Sequence, residues 1–600
     1  MDETTSPRTL NEGLLAQEHE QEQGQEQAAL ERQHLNEAHE DEDLVDPLGP
    51  EETGDPSVVA SRAWNQHRSR RCLLCASLGL LVSIALVAGL PTFITGLVHD
   101  GIRGNVVIDS EKADGFEQFR NRSRTGTTYM EFYLFNITNP HGVLQGEKPH
   151  LEELGPWIYT TYQIRSDFEW NASADTLAYR EHSYYVFDPV ETMIRTGGRF
   201  DTDKIEITTL NILFLAMDAV LGKFWWYEVT SHTIYKTDFN RLFTRKTVHE
   251  LLTGYKDWVF GEIPIEFPGL YSNVTQDKDP HFLQKTIMRV GARNESEVYQ
   301  LETFQGMQEV AIECPFGTNP LPGGHECSTP TYPCCASKKA KKVPIWSTEI
   351  VNGVWDRDAN RVWGTVGEQF APGLHPDETV IIFNDLISRA LKFYCQDAEA
   401  VVYKGIQMYR YRPVPELFMN ATERPANARY YQFGPRGFLG NLSMLEQGAP
   451  LQVSLPHFLE GDDSLIEGVE GLSPDRELHS MVIDIEPILG QTMVEHVRAQ
   501  VVGQIRRVQW PHHRDVWFPH VRDGTYVPIG WFDQVSEITN EGVSEFRMLY
   551  IAHDIREGIY VVGTILSIAF AFPLLNAVRI HYFHEHHFVP VFATSATTQD

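Results

Sequence analysis

The residues of this 600-residue chain best suited to chemistry are its seven cysteines and a group of histidines and carboxylates between positions 457 and 486. Cys314, Cys327, Cys334 and Cys335 lie in a Pro- and Gly-rich stretch, residues 314 to 342, that ends in Lys338, Lys339, Lys341 and Lys342; Cys395 follows. Their spacing fits no standard zinc finger. In an oxidising compartment these five are disulfide candidates, and the odd number leaves one thiol free or paired outside the chain. Cys72 and Cys75 stand at the edge of an apolar run, where S-palmitoylation is the chemistry that suits them and ordinary buried thiols are the alternative. His457, His479, Asp484 and Glu486 suggest proton transfer, but nothing in the sequence orients them as a pair. Strand alternation already explains them as packing and hydrogen-bonding positions. No nucleophile elbow, phosphate loop or zincin helix occurs. We therefore assign no catalytic residue, no cofactor and no metal, and expect no enzyme. His581, His584, His586 and His587 read as flanking polarity rather than metal ligands.

Two uncharged stretches set where everything else must sit. Residues 72–98 and 558–578 contain no Lys, Arg, Asp or Glu. At about 1.5 Å per residue, each crosses a hydrocarbon core of roughly 30 Å as a helix. Arg62, Arg68, Arg70 and Arg71 precede the first stretch; Asp554, Arg556 and Glu557 precede the second, and Arg579 follows it. The bias of basic residues places both termini in the cytosol. The first stretch begins too far into the chain and runs too long for a cleaved signal, so it reads as a signal anchor. Seven glycosylation sequons, at Asn121, Asn136, Asn171, Asn273, Asn294, Asn420 and Asn441, all lie between the two stretches. The expected order is a cytosolic tail (1–71), a span, an extracellular or lumenal ectodomain (99–557), a second span and a short tail (579–600). Such an arrangement suits a receptor or transporter, with the membrane as a partner and no nucleic acid.

The net charge of -32 is concentrated at the N-terminus. Residues 1 to 60 hold 17 acids against Arg8 and Arg32 and no aromatic residue, a composition that buries too little apolar surface to fold. We expect a disordered tail with a transient helix over residues 10 to 37. Leu14 and Leu15 lack the acidic residue of a sorting signal, and Tyr582 is followed three positions later by Glu585. The absence of both signals favours the plasma membrane over lysosomal or endosomal residence.

Within the ectodomain, period-two alternation predicts strands with one buried face. Met481, Ile483 and Ile485 alternate with Val482, Asp484 and Glu486, and Leu451, Val453 and Leu455 alternate with Gln452 and Ser454. Residues 129 to 138, 156 to 165 and 177 to 187 are further strands. Helical spacing predicts helices over Lys204–Tyr227, Asp377–Tyr394 and Thr247–Leu252. The first is interrupted by Asn211, Asp218 and Lys223 and is not a third span. The reading is one large α+β domain, with β dominant and helices at one end.

Residues 450 to 490 read PLQVSLPHFLEGDDSLIEGVEGLSPDRELHSMVIDIEPILG, and this segment resembles the class B scavenger receptor family. FYLFNITNPHGV (132–143), ELGPWIYTTY (153–162), TVHELLTGYKD (247–257) and TYVPIGWFDQ (525–534) extend the likeness over about residues 72 to 580. The resemblance implies two transmembrane helices flanking a large antiparallel β-barrel ectodomain capped by an apical helical bundle, with a hydrophobic tunnel leading to the bilayer. It implies lipids, fatty acids, sterols or lipoproteins as ligands, or a soluble lumenal partner as in the family's lysosomal member. It also implies a basic residue among the apical helices. Lys236 is the nominee and Lys223 the alternative, beside the aromatic run Phe224, Trp225, Trp226 and Tyr227. A solvated lysine and a buried aromatic seam are the plainer readings. The chain departs from the family's disulfide pattern: Ser388 stands where a cysteine is expected, and residues 396–600 hold none. No family disulfide is carried over.

Overall fold

The computed structural model describes residues 56–122, 126–221, 241–259, 263–267, 269–270, 284–307, 311–314, 349–352, 359, 361–430, 434–442, 451–509 and 516–586. The N-terminal tail up to residue 55 and the stretch from 315 to 348 lie outside them.

The described residues open with a long helix, α1 (Pro56–Val106), and a short one, α2 (Phe116–Arg120). Three long strands follow, β1 (Gly126–Ile137), β2 (Leu151–Asn171) and β3 (Thr176–Phe187), and then α3 (Pro189–Arg195). Next come β4 (Glu206–Leu210), α4 (Ile212–Leu221), β5 (Phe243–Thr247), α5 (Val248–Thr253), β6 (Tyr255–Val259) and β7 (Ile263–Phe267). Short strands β8 (Thr286–Arg289), β9 (Leu301–Thr303), β10 (Ala311–Cys314) and β11 (Glu349–Asn352) lead to β12 (Thr379–Asn384), β13 (Arg389–Tyr403) and β14 (Ile406–Pro413). The chain continues through β15 (Phe438–Asn441), β16 (Leu451–Ser454), β17 (Val482–Glu486), β18 (Gln491–Gln504), β19 (Val508–Gln509), β20 (Val516–Trp517) and β21 (Tyr526–Ile538), and ends in α6 (Asn540–His586).

Thirteen of these strands form one sheet, whose main path runs β12-β13-β14-β17-β18-β21-β1-β2-β3-β8-β9, with β16 joined to β18 and β15 to β16. Every pairing within it is antiparallel. As a strand ladder the sheet is open rather than the expected closed barrel. Its end strands meet instead through an irregular segment. Leu301 N–H of β9 donates to the Gly364 carbonyl at 2.8 Å, Thr365 N–H donates to Ile381 at 3.0 Å, and Phe383 N–H of β12 donates to Thr365 at 2.9 Å. The remaining strands pair as the ribbons β4–β5, β6–β7, β10–β11 and β19–β20.

Two helix expectations require correction. Residues 377–394 form the β12–β13 hairpin, with Phe383 opposite Ala390. The run Thr379, Val380, Ile381, Ile382 is stiff at Cβ and fits a pleated surface better than a helical turn. The Asn384 side chain accepts from Ile387 N–H at 3.2 Å and closes the turn. Of the expected helix over 204–227, the described residues 204–221 split into strand β4 and helix α4, and 222–227 lie outside the description; Asn211 caps α4 by accepting from Phe214 N–H at 3.1 Å. Helix α5 forms as expected. Thr247 and Glu250 make a reciprocal capping box, which satisfies two amides that a helix start leaves open. Strand β17 differs from its one-faced expectation, because all five of its residues are buried.

The chain divides into two compact units. One is Val82–Leu566; the other combines Met1–Leu81 with Ser567–Asp600. Two helical stretches, Leu74–Val106 and Ile555–Asn576, are long and apolar enough to cross a membrane. Inside the larger unit, Arg103 at the end of α1 donates to Glu295 at 2.9 Å and to the Ala292 carbonyl at 2.6 Å. Trp170 on β2 donates to Ile108 at 2.9 Å. At the other end Tyr550 on α6 donates to Glu486 at 2.6 Å. Both long helices are thus bonded to the sheet region by side chains.

Candidate functional site: the inner face of the sheet

One face of β2 carries Trp157, Tyr159, Thr161, Gln163 and Arg165. The opposite face carries the exposed Tyr162 and Ile164, where Tyr162 stacks on Tyr184 of β3 at 4.9 Å. Cross-strand register extends the inner face into rows. Ala499, Phe532, Phe132 and Trp157 stand opposite one another across β18, β21, β1 and β2. These aromatics belong to a large apolar cluster with Leu134, Leu391, Phe393 and Ile483. Four residues along each strand, the row becomes Glu495, Ser536, Thr128 and Thr161. Beyond it, Met493, Ile538, Tyr179 and Leu177 join a second apolar cluster around Phe116 and Phe119. A polar belt therefore separates two apolar regions on one face of the sheet.

The belt is charged at its lower edge. Arg122 donates to Glu368 at 2.9 Å, to Ser536 at 3.1 Å and to Glu495 at 3.4 Å. Arg165, almost wholly buried, donates to Glu368 at 2.5 Å, to Glu181 at 2.8 Å and to the Phe119 carbonyl at 3.1 Å, with its guanidinium 4.4 Å from the Phe119 ring centre. Burial works against the charge on Glu368, but the two guanidiniums outweigh it and hold this carboxyl well below its ordinary range. Glu495 goes the other way. Burial, reinforced by the neighbouring Glu368, pushes it up to about 7 against the pull of Arg122. Carboxyls this close share their cations unequally. A cavity of about 60 Å³ lies against this cluster, lined by Arg122, Glu368, Gln118 and Ser536 among others.

A second buried polar node involves two of the residues singled out in the sequence. His457 lies at a left-handed φ of 53° within the S-L-P-H-F element, a conformation that costs a non-glycine residue on the order of 1 kcal/mol or more. Gln500 holds it by accepting from its N–H at 2.9 Å. Its ring stacks on His479, centroids 4.1 Å apart and 14° from parallel. Ser473 N–H donates to His457 Nδ1 at 3.0 Å, and Asp475 N–H donates to His479 Nδ1 at 2.9 Å. Both rings therefore carry their proton on Nε2, and that of His457 is directed at Glu153, 3.1 Å away. Trp531 Nε1–H donates to the same carboxylate oxygen, while Tyr133 stacks on Trp531 at 3.9 Å. Burial raises the Glu153 pKa, but the bonds from His457 and Trp531 bring it below the ordinary value. Burial and the adjacent His457 push His479 down to about 4. The result is an uncharged His479 at neutral pH. Asp484 and Glu486 are engaged elsewhere: Asp484 takes a bidentate pair from Arg410 at 2.8 Å, and Glu486 accepts from Ile488 and Leu489 N–H, both at 2.8 Å, as well as from Tyr550.

Other expected site residues divide between the described and the undescribed. Lys223, Phe224, Trp225, Trp226 and Lys236 lie outside the described residues, as do Cys327, Cys334, Cys335 and Asn273. Cys314 ends β10. Cys395 is a buried free thiol whose Sγ lies 3.8 Å from the Glu399 carbonyl. Cys75 is exposed and free, and the Cys72 side chain is outside the description. Asn171 and Asn294 are exposed, whereas Asn136 is half-buried and accepts from Thr208 N–H at 3.0 Å. Asn121, Asn420 and Asn441 are partly covered. The belt was missed in the sequence. Its signal is present in β2, where alternate residues change from Trp and Tyr to Thr, Gln and Arg without changing face.

Similarity to known proteins matches this architecture. A family model described as the CD36 family covers residues 76–576. Scavenger receptor class B member 1 of Bos taurus is 23% identical over 528 residues, covering 86% of this chain and 91% of that protein. The protein of the same name from Cricetulus griseus is 26% identical over 484 residues, covering 79% and 81% respectively. Lysosome membrane protein 2 of Mus musculus is 26% identical over 392 residues, covering 63% of this chain and 70% of that protein. The resemblance read from residues 450–490 is confirmed, and the chain belongs to the CD36 family.

Proposed function

We propose that this protein is a scavenger-type membrane receptor that binds lipids or lipoproteins at the apex of its ectodomain and passes lipid, fatty acid or sterol, along the interior of the sheet to the bilayer. The observation that carries this reading is the large apolar cluster on the inner face, to which β12, β13, β14, β17, β18, β21, β1 and β2 all contribute. Each methylene kept from water is worth about 0.8 kcal/mol, so a sixteen-carbon tail crossing water bare costs on the order of 10 kcal/mol. An apolar path along the interior of the sheet to the membrane removes that barrier. In this reading Lys223 and Lys236 draw anionic head groups to the apex, and Phe224, Trp225 and Trp226 receive the tail. The ectodomain is extracellular or lumenal and glycosylated, both termini are cytosolic, and the Cys314 to Cys335 cluster forms disulfides. No catalytic step is required.

The test is lipid uptake by cells expressing the full chain. Uptake of fatty acid, sterol or lipoprotein lipid should rise above the untransfected background, and K223E/K236E should weaken capture without lowering surface amount. Uptake at background for all of these ligands overturns the transport reading. A second reading is a receptor for a soluble lumenal partner in lysosomes or endosomes. The similarity to Lysosome membrane protein 2 favours it, and surface biotinylation separates the two by location.

A further inference from the structure

Residues 364–374 form a strap between distant strands. At one end, Gly364 and Thr365 join β9 to β12. Further along, Thr492 N–H of β18 donates to the Glu368 carbonyl at 3.1 Å, Phe370 N–H donates to Gly490 at 2.7 Å and Leu374 N–H donates to Pro487 at 2.9 Å. β18 lies four places from β12 in the sheet path, so the strap cuts from one to the other past β13, β14 and β17. From its middle the Glu368 side chain reaches a third wall. It accepts from Arg165 of β2 at 2.5 Å and from Arg122 at 2.9 Å, and β2 lies three places beyond β18. Arg122 in turn holds Glu495 of β18 and Ser536 of β21. One carboxylate and two guanidiniums thus tie the strap across the sheet.

The tie sits between two apolar regions. The large cluster lies on one side of it. The cluster on the other side includes Val106 at the end of α1 and Val543 near the start of α6, the two helices that carry the apolar stretches. A buried ion cluster stabilises a fold little more than apolar packing of the same volume, so stability alone does not account for charges at this place. The cavity beside Arg122, about 60 Å³, holds a few waters but no alkyl chain. Gly364, Gly367 and Gly373 have φ of 90°, 92° and 75°, a backbone that glycine holds without strain, and they supply joints near both ends of the strap.

We infer that residues 364–374 are a gate in its closed state, fastened by Glu368, and that the membrane end of the inner face opens when the strap parts from Arg122, Arg165 and the start of β18. This goes beyond the transport reading and rests on it. Parting exchanges two charge-assisted bonds for water. A hydrocarbon chain offers the guanidiniums nothing in exchange, so the gate recloses once the chain has passed.

The experiment locks the strap reversibly in the full-length protein on cells. Gln369 faces Gln491 across an antiparallel bridge, and the bonds on either side of it make this a non-hydrogen-bonded pair. Such pairs bring Cα atoms to about 4.5 Å, within the range a disulfide spans. Q369C/Q491C, oxidised and confirmed as a disulfide by mass spectrometry, should lower uptake of a labelled fatty acid or sterol to the untransfected background. Mild reduction should restore it, while the parent under the same oxidant and reductant stays unchanged. E368Q, which keeps the shape of the side chain without its charge, should take up lipid about threefold faster, because a weaker tie opens more often. Surface amount and thermal melting check that each variant is folded. A cross-linked protein that takes up lipid at the parental rate overturns the gate and leaves the transport reading standing, and so does a folded E368Q at the parental rate. Parental uptake at background overturns the transport reading and the gate with it.

Discussion

The imidazoles of His457 and His479 lie face to face, 4.1 Å apart, although 21 residues separate them in the chain. Each receives a backbone N–H on Nδ1, so protonating either ring at that nitrogen breaks a hydrogen bond and places a charge beside its neighbour.

Acid should therefore destabilise the ectodomain through His479. Its folded pKa of about 4 lies below the ordinary histidine value of 6.5. The unfolded chain takes up the proton first, and the stability present above pH 6.5 is lost as pH falls toward 4. H479Q, whose amide oxygen can accept from Asp475 N–H, should melt at a temperature that changes less over this range than the parent's. An unchanged slope would mean that His479 is not the group responsible.

Glu495 should act with the opposite sign. Its folded pKa of about 7 lies above the ordinary 4.5, so its contribution is fully present below pH 4.5 and is lost as pH rises through 7. In E495Q the part of the stability profile that declines between pH 5 and 8 should flatten. Calorimetry of parent, E495Q and H479Q side by side separates the two opposing slopes.

Removing the Tyr550 hydroxyl should loosen the attachment of α6 to the sheet. That hydroxyl donates to the wholly buried Glu486 at 2.6 Å, whose pKa is raised by burial. Y550F should cost about 1–2 kcal/mol and should increase hydrogen exchange in the first turns of α6 more than in β1. Uniform exchange would place the loss elsewhere.

Glycosylation should be separable from packing at the sequons. N171Q and N294Q replace exposed side chains and should each remove one glycan from the apparent mass with stability within about 0.5 kcal/mol of the parent. N136Q should also lower stability, because the Asn136 side chain accepts from Thr208 N–H at 3.0 Å. Loss of mass at none of these sites would contradict a lumenal ectodomain.

Helix packing in the membrane-spanning stretches is tight at Gly563. A Cβ there would fall 2.4 Å from Val87, closer than side chains approach. G563L should separate this pair and reduce cross-linking between cysteines placed beside positions 87 and 563. Unchanged cross-linking would show that the contact yields.

Features carried by neighbouring residues were legible in the sequence. The two apolar stretches need only composition, the α5 capping box needs only Thr247 and Glu250 three apart, and the aromatic-rich segments expected as strands at 129–138 and 177–187 form β1 (126–137) and β3 (176–187). The order of motifs from 132 to 534 was enough to place the family. Periodicity failed at 377–394, where apolar spacing suits a helix and two short strands alike; pairing with each other and with β14 decided it. The polar belt and the histidine stack were decided only by the tertiary structure. Glu495, Ser536, Thr128 and Thr161 form one row because antiparallel register aligns four strands from distant parts of the chain. Register depends on side-chain fit across strands, which no local stretch of sequence contains.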